Sequence, residues 1–392
     1  MENPKIRFKG YTKDWEQRKL GELGTVQTCK RIFKDQTSEK GDIPFFKNGT
    51  IGLEPDSYIS REMYEEFRRL YPYPEVGDTL ISVVGSIGRT AEYTGKDEYF
   101  QDSNVVWLKT DGSINKKFLK ISYQVIKWLI EGSTVKHLYN DNILRSEIVM
   151  PVSQIEQAKI AEFFEELDHL ITLHQRKCEQ TKKLKKYMLQ KMFPQNGAKV
   201  PEIRFDGFTY DWEQRKLSEL LEKYEDPVET PHDGYERVGI RSHAKGTFHS
   251  FVEPGKELDT AKMYRVAADK FILNITFAWE HAVAITDNND AGKLVSHRFP
   301  QFSFNPKLKP HFFKYLMLDK KFREHLELSS PGGAGRNRVL KISDMLKYEI
   351  KLPSIEEQIK IGEYFDSLDH LITLHQRQTD FYKKPNFYFI SS

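Results

Sequence analysis

The sequence predicts an α/β (α+β) protein in which two pseudo-symmetric domains are joined by two long antiparallel coiled-coil helices. Three observations predict this architecture. Two blocks of sequence each occur twice, in the same order, and the two inserts that lie between the blocks are unlike each other. The 392 residues suffice for two or three domains, each with its own hydrophobic core.

The first repeated block contains the string DWEQRKL, at Asp14–Leu20 and again at Asp211–Leu217. The likeness is wider than this string, since PKIRFKGYTKDWEQRKLGEL fills residues 4–23 and PEIRFDGFTYDWEQRKLSEL fills residues 201–220. We interpret this opening block as the segment through which the chain passes from a shared frame into each domain.

The second repeated block predicts a long helix in each half of the chain. PVSQIEQAKIAEFFEELDHLITLHQR starts at Pro151, and PSIEEQIKIGEYFDSLDHLITLHQR starts at Pro353. Ser153 and Glu156 have the spacing of a capping box, and the helix is predicted from Gln154 to Lys191. Apolar residues at heptad spacing predict a coiled-coil seam or partner contact at Ile160, Phe164, Leu167 and Ile171, and at Ile361, Phe365, Leu368 and Ile372.

These blocks divide the chain into four segments. We predict a first domain over 1–150, the first long helix over 151–197, a second domain over 198–352 and a second long helix with an atypical tail over 353–392. The second helix is expected to be the shorter one, because Pro385 interrupts it. The lysines within Lys182–Lys186 are expected to form a solvated helix face.

Composition limits the classes of function. The formal net charge is only +3, so a nucleic-acid surface would be a local patch and not a global field. Two cysteines cannot form a disulfide framework, which indicates a reducing compartment. The N-terminal MENPKIRFKG lacks the apolar region of a signal peptide, and we expect a cytoplasmic protein.

Both inserts read as short strands joined by polar turns. Several of these loops combine basic, amide and hydroxyl side chains, which are the groups that contact phosphates and base edges. An ordinary polar surface loop is the alternative for each of them. The candidate DNA-binding residues are Lys47, Asn48, Thr50, Ser86, Arg89, Arg241, His243, Lys245, Arg336, Asn337 and Arg338.

We find no catalytic residues and no metal site in the sequence. Glu349-Ile350-Lys351 has the E-x-K form of nucleases, but the first repeat reads Glu147-Ile148-Val149 at that place, so a strand is favoured. His169 and His174 are five residues apart, which does not align two ligands on one helix face. The sequence therefore predicts a chain that is not itself an enzyme.

The duplicated frame resembles the specificity subunit of type I restriction-modification systems over essentially the whole chain. The resemblance rests on W…RKL.EL at Trp15–Leu23 and Trp212–Leu220, and on P…EQ.KI…F…LD.LI at Pro151–Ile171 and Pro353–Ile372. It implies that each domain is a target-recognition domain for one half of a bipartite, asymmetric DNA site. It also implies that the two helices act as a ruler for the unspecified spacer.

The resemblance further implies what the partners supply. The subunit would have no catalytic site and no cofactor of its own. It would assemble with two methyltransferase subunits, seated on the apolar helix face, and with restriction motor-nuclease subunits. Adenine N6 methylation and cleavage would belong to these partners, which are expected to hold S-adenosylmethionine, Mg and ATP.

A second hypothesis is a non-catalytic, pseudo-dimeric scaffold that binds protein partners through its inserts. The nearly neutral net charge permits it. Salt separates the two hypotheses, because binding through phosphate contacts weakens steeply with salt and an apolar protein interface does not.

Overall fold

The structure is a computed structural model that describes residues 4, 6–85, 87–131, 136–195, 197–257, 262–332 and 338–383. It divides into two compact units. Unit 1 consists of residues 1–175 and 377–392, and unit 2 consists of residues 176–376. Within the described ranges, no helix is long and apolar enough to cross a membrane.

Unit 1 combines short strands with helices in its described part. Its strands are β1 (Glu16–Lys19), β2 (Gly24–Thr28), β3 (Ile43–Phe46), β4 (Tyr58–Ile59), β5 (Thr79–Ser82), β6 (Thr90–Glu92), β7 (Tyr99–Phe100), β8 (Val105–Thr110) and β9 (Glu147–Met150). Its helices are α1 (Arg61–Leu70), α2 (Lys116–Ser122), α3 (Asn140–Arg145) and the first part of α4 (Gln154–Lys191). The bounds of α4 are those that the sequence predicts.

Unit 2 has the same kind of composition over the residues that the structure describes. Its strands are β10 (Glu213–Lys216), β11 (Leu221–Tyr224), β12 (Pro227–Val228), β13 (Tyr235–Ile240), β14 (Thr247–Val252), β15 (Met263–Arg265), β16 (Phe271–Leu273), β17 (Val283–Ile285), β18 (Leu294–Val295), β19 (Gln301–Phe304) and β20 (Glu349–Leu352). Its helices are the second part of α4, α5 (Pro310–Leu316), α6 (Lys320–Leu328), α7 (Ile342–Met345) and most of α8 (Ile355–Lys383).

The two units share one frame. The repeated EQRK of the opening block is a strand in each, β1 or β10, and it pairs antiparallel with β9 or β20, the strand that leads into the long helix. A four-stranded sheet follows in the order β2-β8-β5-β6 in unit 1 and β11-β19-β16-β17 in unit 2. Glu349–Lys351 thus lies in a strand of this frame, as the comparison of the two repeats predicts.

The second sheet of each unit differs between the two. Unit 1 has a three-stranded arrangement, β4-β3-β7, and unit 2 has a five-stranded sheet, β12-β15-β18-β13-β14. A parallel pair is common to both, β3 with β7 and β13 with β18. The mixture of helices with mainly antiparallel sheets confirms the predicted fold class.

A buried ion pair ties the opening block of each unit to its long helix. The Arg7 guanidinium donates to both carboxylate oxygens of Glu156, at 2.6 and 2.8 Å, and Arg204 binds Glu357 in the same way at 2.7 and 2.8 Å. The glutamate side chains are only 2% and 1% exposed. Hydrogen bonding to Glu156 raises the pKa of the Arg7 guanidinium, and Glu357 does the same for Arg204.

The residue after each glutamate closes the same junction. The side-chain oxygen of Gln157 accepts from the backbone N–H of Asn115 at 2.8 Å, and Gln358 accepts from Lys309 at 2.9 Å.

The capping box predicted at Ser153 and Glu156 is only half right. The Ser153 hydroxyl does accept from the Glu156 backbone N–H at 3.4 Å, but the Glu156 carboxylate binds Arg7 instead.

The predicted seam residues pack mainly into the unit to which they belong. Ile160, Phe164 and Leu167 are buried in the core of unit 1, and Ile361, Phe365 and Leu368 are buried in that of unit 2. Ile171 and Ile372 are half-buried. The first half of each helix thus covers the apolar core of its own domain, and the role of these residues in a coiled-coil seam or partner contact stays a prediction.

The helix contact inside unit 2 is made by the second half of α4 and by Phe193, which follows it, and it includes Ile372 and Phe365 of the predicted seam. Cys178 Sγ lies 3.9 Å from the Ile372 carbonyl oxygen, Lys185 pairs with Asp369 at 2.5 Å, and Phe193 stacks on Phe365 with ring centroids 6.1 Å apart. The partner's number falls as the α4 number rises, so the two stretches run antiparallel. Lys185 also lies over the Tyr315 ring, and the prediction that it is merely solvated is wrong.

We predict that Arg204→Met lowers the free energy of unfolding by about 3 kcal/mol, because it leaves the Glu357 carboxylate buried without its counter-charge. Denaturant unfolding followed by tryptophan fluorescence measures the loss. The control is Lys320→Met, whose partner Glu324 is in an exposed pair on α6. The double variant R204M/E357M is expected to regain most of the loss. A cost for R204M no larger than that of the control would contradict the account.

Candidate nucleic-acid interface

Three loops occupy equivalent places in the two frames. The A loop follows β3 or β13 (residues 47–57 and 241–246), and the B loop joins β5 to β6 or β16 to β17 (residues 83–89 and 274–282). The C loop precedes α3 or α7 (residues 131–139 and 329–341). The candidate DNA-binding residues that the structure describes fall on these loops in both units.

In unit 1 the B loop holds the other two loops together. The Asn48 side-chain amide donates to the Val84 carbonyl at 3.1 Å, and the Arg89 guanidinium donates to the Gly49 carbonyl at 2.9 Å. The Leu138 backbone N–H donates to the Val83 carbonyl at 2.9 Å. The sheet order thus brings three segments that are distant in sequence to one place in this unit.

Unit 2 has the same arrangement with different side chains. The Ser242 hydroxyl donates to the Glu280 carboxylate at 2.7 Å, and the backbone N–H of His243 donates to the Glu280 carbonyl at 2.9 Å. The C loop joins through Leu340, whose N–H donates to the Ile275 carbonyl at 2.9 Å. The Arg338 guanidinium lies 5.4 Å from the centre of the Trp279 ring.

The candidate residues of unit 1 make contacts within their own loops. Lys47 forms an ion pair with Asp56 at 2.9 Å, and its hydrogen bond lowers the pKa of that carboxyl. The Thr50 hydroxyl accepts from the Lys47 backbone N–H at 2.9 Å, while Asn48 and Arg89 connect the A and B loops. All four are half-buried, so they shape the loops as well as present polar groups.

The candidate residues of unit 2 are more exposed. Arg241, His243 and Lys245 are exposed on the A loop, and the Arg241 guanidinium lies over the Phe248 ring at 5.2 Å. Arg338 is half-buried and pairs with Glu327 at 3.4 Å. Ser86, Arg336 and Asn337 lie outside the described residues.

Sequence reasoning missed Glu280 and Trp279. Both lie on the B loop of unit 2, against the A and C loops. The signal that could have found them is the order of strands, since the B loop follows the strand that corresponds to β5. That correspondence needs the sheet topology, because the two inserts have little sequence in common.

The A and B loops of unit 2 meet through residues with a left-handed backbone. His243 and Ala244 on the A loop have φ of 62° and 51°, and His281 on the B loop has φ of 62°. Such values are disfavoured for residues with a side chain, and they concentrate at functional sites when the surroundings impose them. Here the N–H groups of His243 and Ala244 both donate to B-loop carbonyls, at 2.9 and 2.8 Å.

The loops of unit 2 carry an excess of positive charge. Their sequence contains Arg241, Lys245, Arg336, Arg338 and Lys341 against a single carboxylate, Glu280. Burial lowers the pKa of His281, whose Nε2 lies 2.9 Å from the Met317 carbonyl oxygen, so this ring favours the neutral form. In the part of the chain that the structure describes, no group of three or more His, Cys, Asp or Glu side chains could hold a metal ion.

Comparison with known proteins gives one family. The family described as the type I restriction modification DNA specificity domain matches residues 12–183 and 210–380. A Haemophilus influenzae protein named as a type I restriction enzyme specificity subunit is 46% identical over 157 residues, which are 39% of this chain and 41% of that protein. The chain thus aligns with less than half the length of that relative.

Two further matches extend over nearly the whole chain. A protein of Methanocaldococcus jannaschii, named as the MjaX specificity subunit of a type I restriction enzyme, is 25% identical over 94% of this chain and 89% of its own length. The crystal structure of a type I restriction-modification system S subunit from M. genitalium has a TM-score of 0.61 at 13% identity. It covers 99% of this chain and 98% of that one, and this likeness concerns the fold.

We predict opposite effects for two substitutions in the A loop of unit 2. Ala244→Gly is expected to raise the free energy of unfolding by about 0.5–1 kcal/mol, because glycine adopts a positive φ without steric cost. Gly246→Ala is expected to lower it by about 1 kcal/mol, because Gly246 has φ of 81°, which is unfavourable for alanine. A Cβ there meets no heavy atom within 4 Å, so the cost comes from the backbone conformation and not from a clash. Denaturant unfolding of both variants measures the pair. Destabilisation by A244G would contradict the account, in which relief of the positive φ outweighs the lost contacts of the Ala244 methyl group.

Proposed function

The chain belongs to the type I restriction modification DNA specificity family, and from this premise we propose that it is a non-catalytic specificity subunit. Each unit reads one half of a bipartite DNA site. The reading residues belong to the A, B and C loops. Adenine methylation and cleavage at that site are carried out by partner subunits.

One observation carries this proposal. The frame is the same in the two units down to the buried pairs Arg7–Glu156 and Arg204–Glu357, whereas the loops on that frame differ. Repetition of the frame with unlike loops is what two independent sequence readers on one chain require. A duplicated catalytic site would repeat its side chains as well.

The loop chemistry suits the major groove of DNA. Lysine and arginine neutralise phosphates, which gives affinity without sequence preference. Amide, hydroxyl, guanidinium and carboxylate groups then distinguish the base edges. Exposed Arg241 and Lys245 of unit 2 are suited to phosphates, while the half-buried Arg89 and Arg338 are suited to directional contacts.

The long helices are proposed to set the spacer and to seat the partners. Helix α8 exposes Ile359, Leu371 and Leu374, whose side chains are 41%, 41% and 39% exposed. Apolar side chains on one helix are suited to packing against a helix of a methyltransferase subunit. Restriction motor-nuclease subunits would join that complex, and S-adenosylmethionine, Mg and ATP would be bound by the partners.

We predict that exchanging residues 24–150 for the corresponding insert of another family member changes one half-site only. The recognition loops move with the insert, which brings its own strands of the same sheet, while the opening block and the long helices stay in place. The exchange is made in the complex with the methyltransferase partner, and modified adenines are mapped across a host genome. The reciprocal exchange of residues 221–352 is the control and should change the other half. A change in both halves, or in neither, contradicts independent reading.

We predict a steep salt dependence for binding to a duplex that contains the site. The logarithm of the association constant should fall by about 0.9 per phosphate contact for each tenfold rise in salt. Arg241→Ala should weaken binding to all sequences and reduce that slope by about 1. Titration by fluorescence anisotropy gives the slopes, with Lys320→Ala on α6 as the control. A shallow slope for the unaltered protein would favour the scaffold hypothesis.

A further inference from the structure

Glu280 is a negatively charged residue among the mainly basic A, B and C loops of unit 2. It is the single carboxylate in the sequence of the three loops, 241–246, 274–282 and 329–341. Facing DNA phosphates, a carboxylate weakens binding through charge repulsion. Its presence at this position is explained if it accepts, from a ligand, a hydrogen bond that no other side chain of these loops accepts.

Glu280 is held at its carboxylate by one hydrogen bond and at its backbone by the neighbouring turn. The Ser242 hydroxyl donates to its Oε2 at 2.7 Å, and the strained turn at His243–Ala244 donates to the backbone carbonyls of Glu280 and His281. Glu280 is half-buried, so its side chain is only partly free to reorient. Such an oriented acceptor can distinguish ligands by hydrogen-bond direction, which a mobile surface glutamate cannot do.

Glu280 and Ser242 also line a concave space that can receive a ligand group. The cavity has a volume of about 380 Å³, and its wall includes Arg237, Phe248 and Phe277. Phe248 and Phe277 are each 38% exposed, so part of the cavity wall is apolar and open to a ligand. The site therefore combines an acceptor, a nearby cation and apolar surface.

The major-groove edges of the bases show which ligand group this acceptor fits. Glutamate only accepts hydrogen bonds when ionised, so it is repelled by guanine N7 and O6 and by thymine O4. Adenine offers the N6 amino donor, but its N7 acceptor lies beside it. Cytosine offers the N4 amino donor without an adjacent acceptor, and it is the base that carboxylates favour.

We infer that Glu280 is a specificity-determining residue that accepts a hydrogen bond from cytosine N4 in the half-site read by unit 2. Ser242 is the positioning residue that orients the carboxylate. The inference rests on the proposed function and adds to it a base and the atoms that read it. It predicts a C·G pair at one position of that half-site.

The substitution Glu280→Gln tests the role of the charge. Glutamine retains an oxygen that accepts from Ser242, so a merely structural carboxylate is replaced without consequence. It also adds N–H donors, so that the amide can donate to adenine N7 while its oxygen accepts from adenine N6. Methylation by the E280Q complex is measured on a set of duplexes that carry each base at every position of the site. The cytosine preference at one position should fall roughly tenfold or more, with adenine gaining.

Two variants accompany it. Ser242→Ala should weaken the same preference at the same position, by less than E280Q, and leave the other positions as they are. Glu324→Gln removes a carboxylate from the exposed face of α6 and should leave every position unchanged.

The outcomes separate this inference from the function on which it rests. If the unaltered complex methylates a split site and E280Q keeps every base preference, Glu280 is structural and this inference alone fails. If the unaltered complex recognises no split site, the proposed function itself fails. A preference that changes in the half-site read by unit 1 would also overturn the assignment.

Discussion

The buried pairing of an arginine with a glutamate at the start of each long helix is the contact on which the rest of the structure depends. Arg7 and Glu156 connect the opening block of unit 1 to α4, and Arg204 and Glu357 connect that of unit 2 to α8. A buried carboxylate without its partner costs several kcal/mol. The IRF and EQ strings therefore occur together in both repeats, although the arginine and its glutamate are about 150 residues apart in the chain.

The contacts that stabilise each unit and the loops proposed to contact DNA are different parts of the molecule. Arg–Glu pairing, glutamine hydrogen bonds to the backbone and the β1–β9 or β10–β20 ribbon close the base of each unit. The A, B and C loops take no part in these closing contacts, so their sequence can differ between the units. A strained turn such as that at His243–Ala244 is tolerated because hydrogen bonds to the B loop impose it. Two loop sets can thus differ completely on one fold.

Local signals in the sequence predict the local structure well. Proline, a serine cap and an uninterrupted apolar period predict α4 from Gln154 to Lys191, with the bounds that the structure has. What the sequence does not reveal is non-local. The heptad positions at Phe164 and Phe365 read as a helix seam, but apolar periodicity does not specify the partner, and both side chains pack in domain cores. Glu280 was missed because its partner Ser242 is 38 residues away in sequence, and only the sheet order brings these loops together.

The central claim is that one frame, used twice, presents two independent readers of DNA sequence. The most direct measurement is a methylation map of the genome of a host that lacks modification, after expression of this chain with its methyltransferase partner. The account predicts modified adenines in a single asymmetric motif, split by a gap of fixed length. A continuous or palindromic motif would contradict it, and so would an unmodified genome in cells from which the assembled complex can be purified.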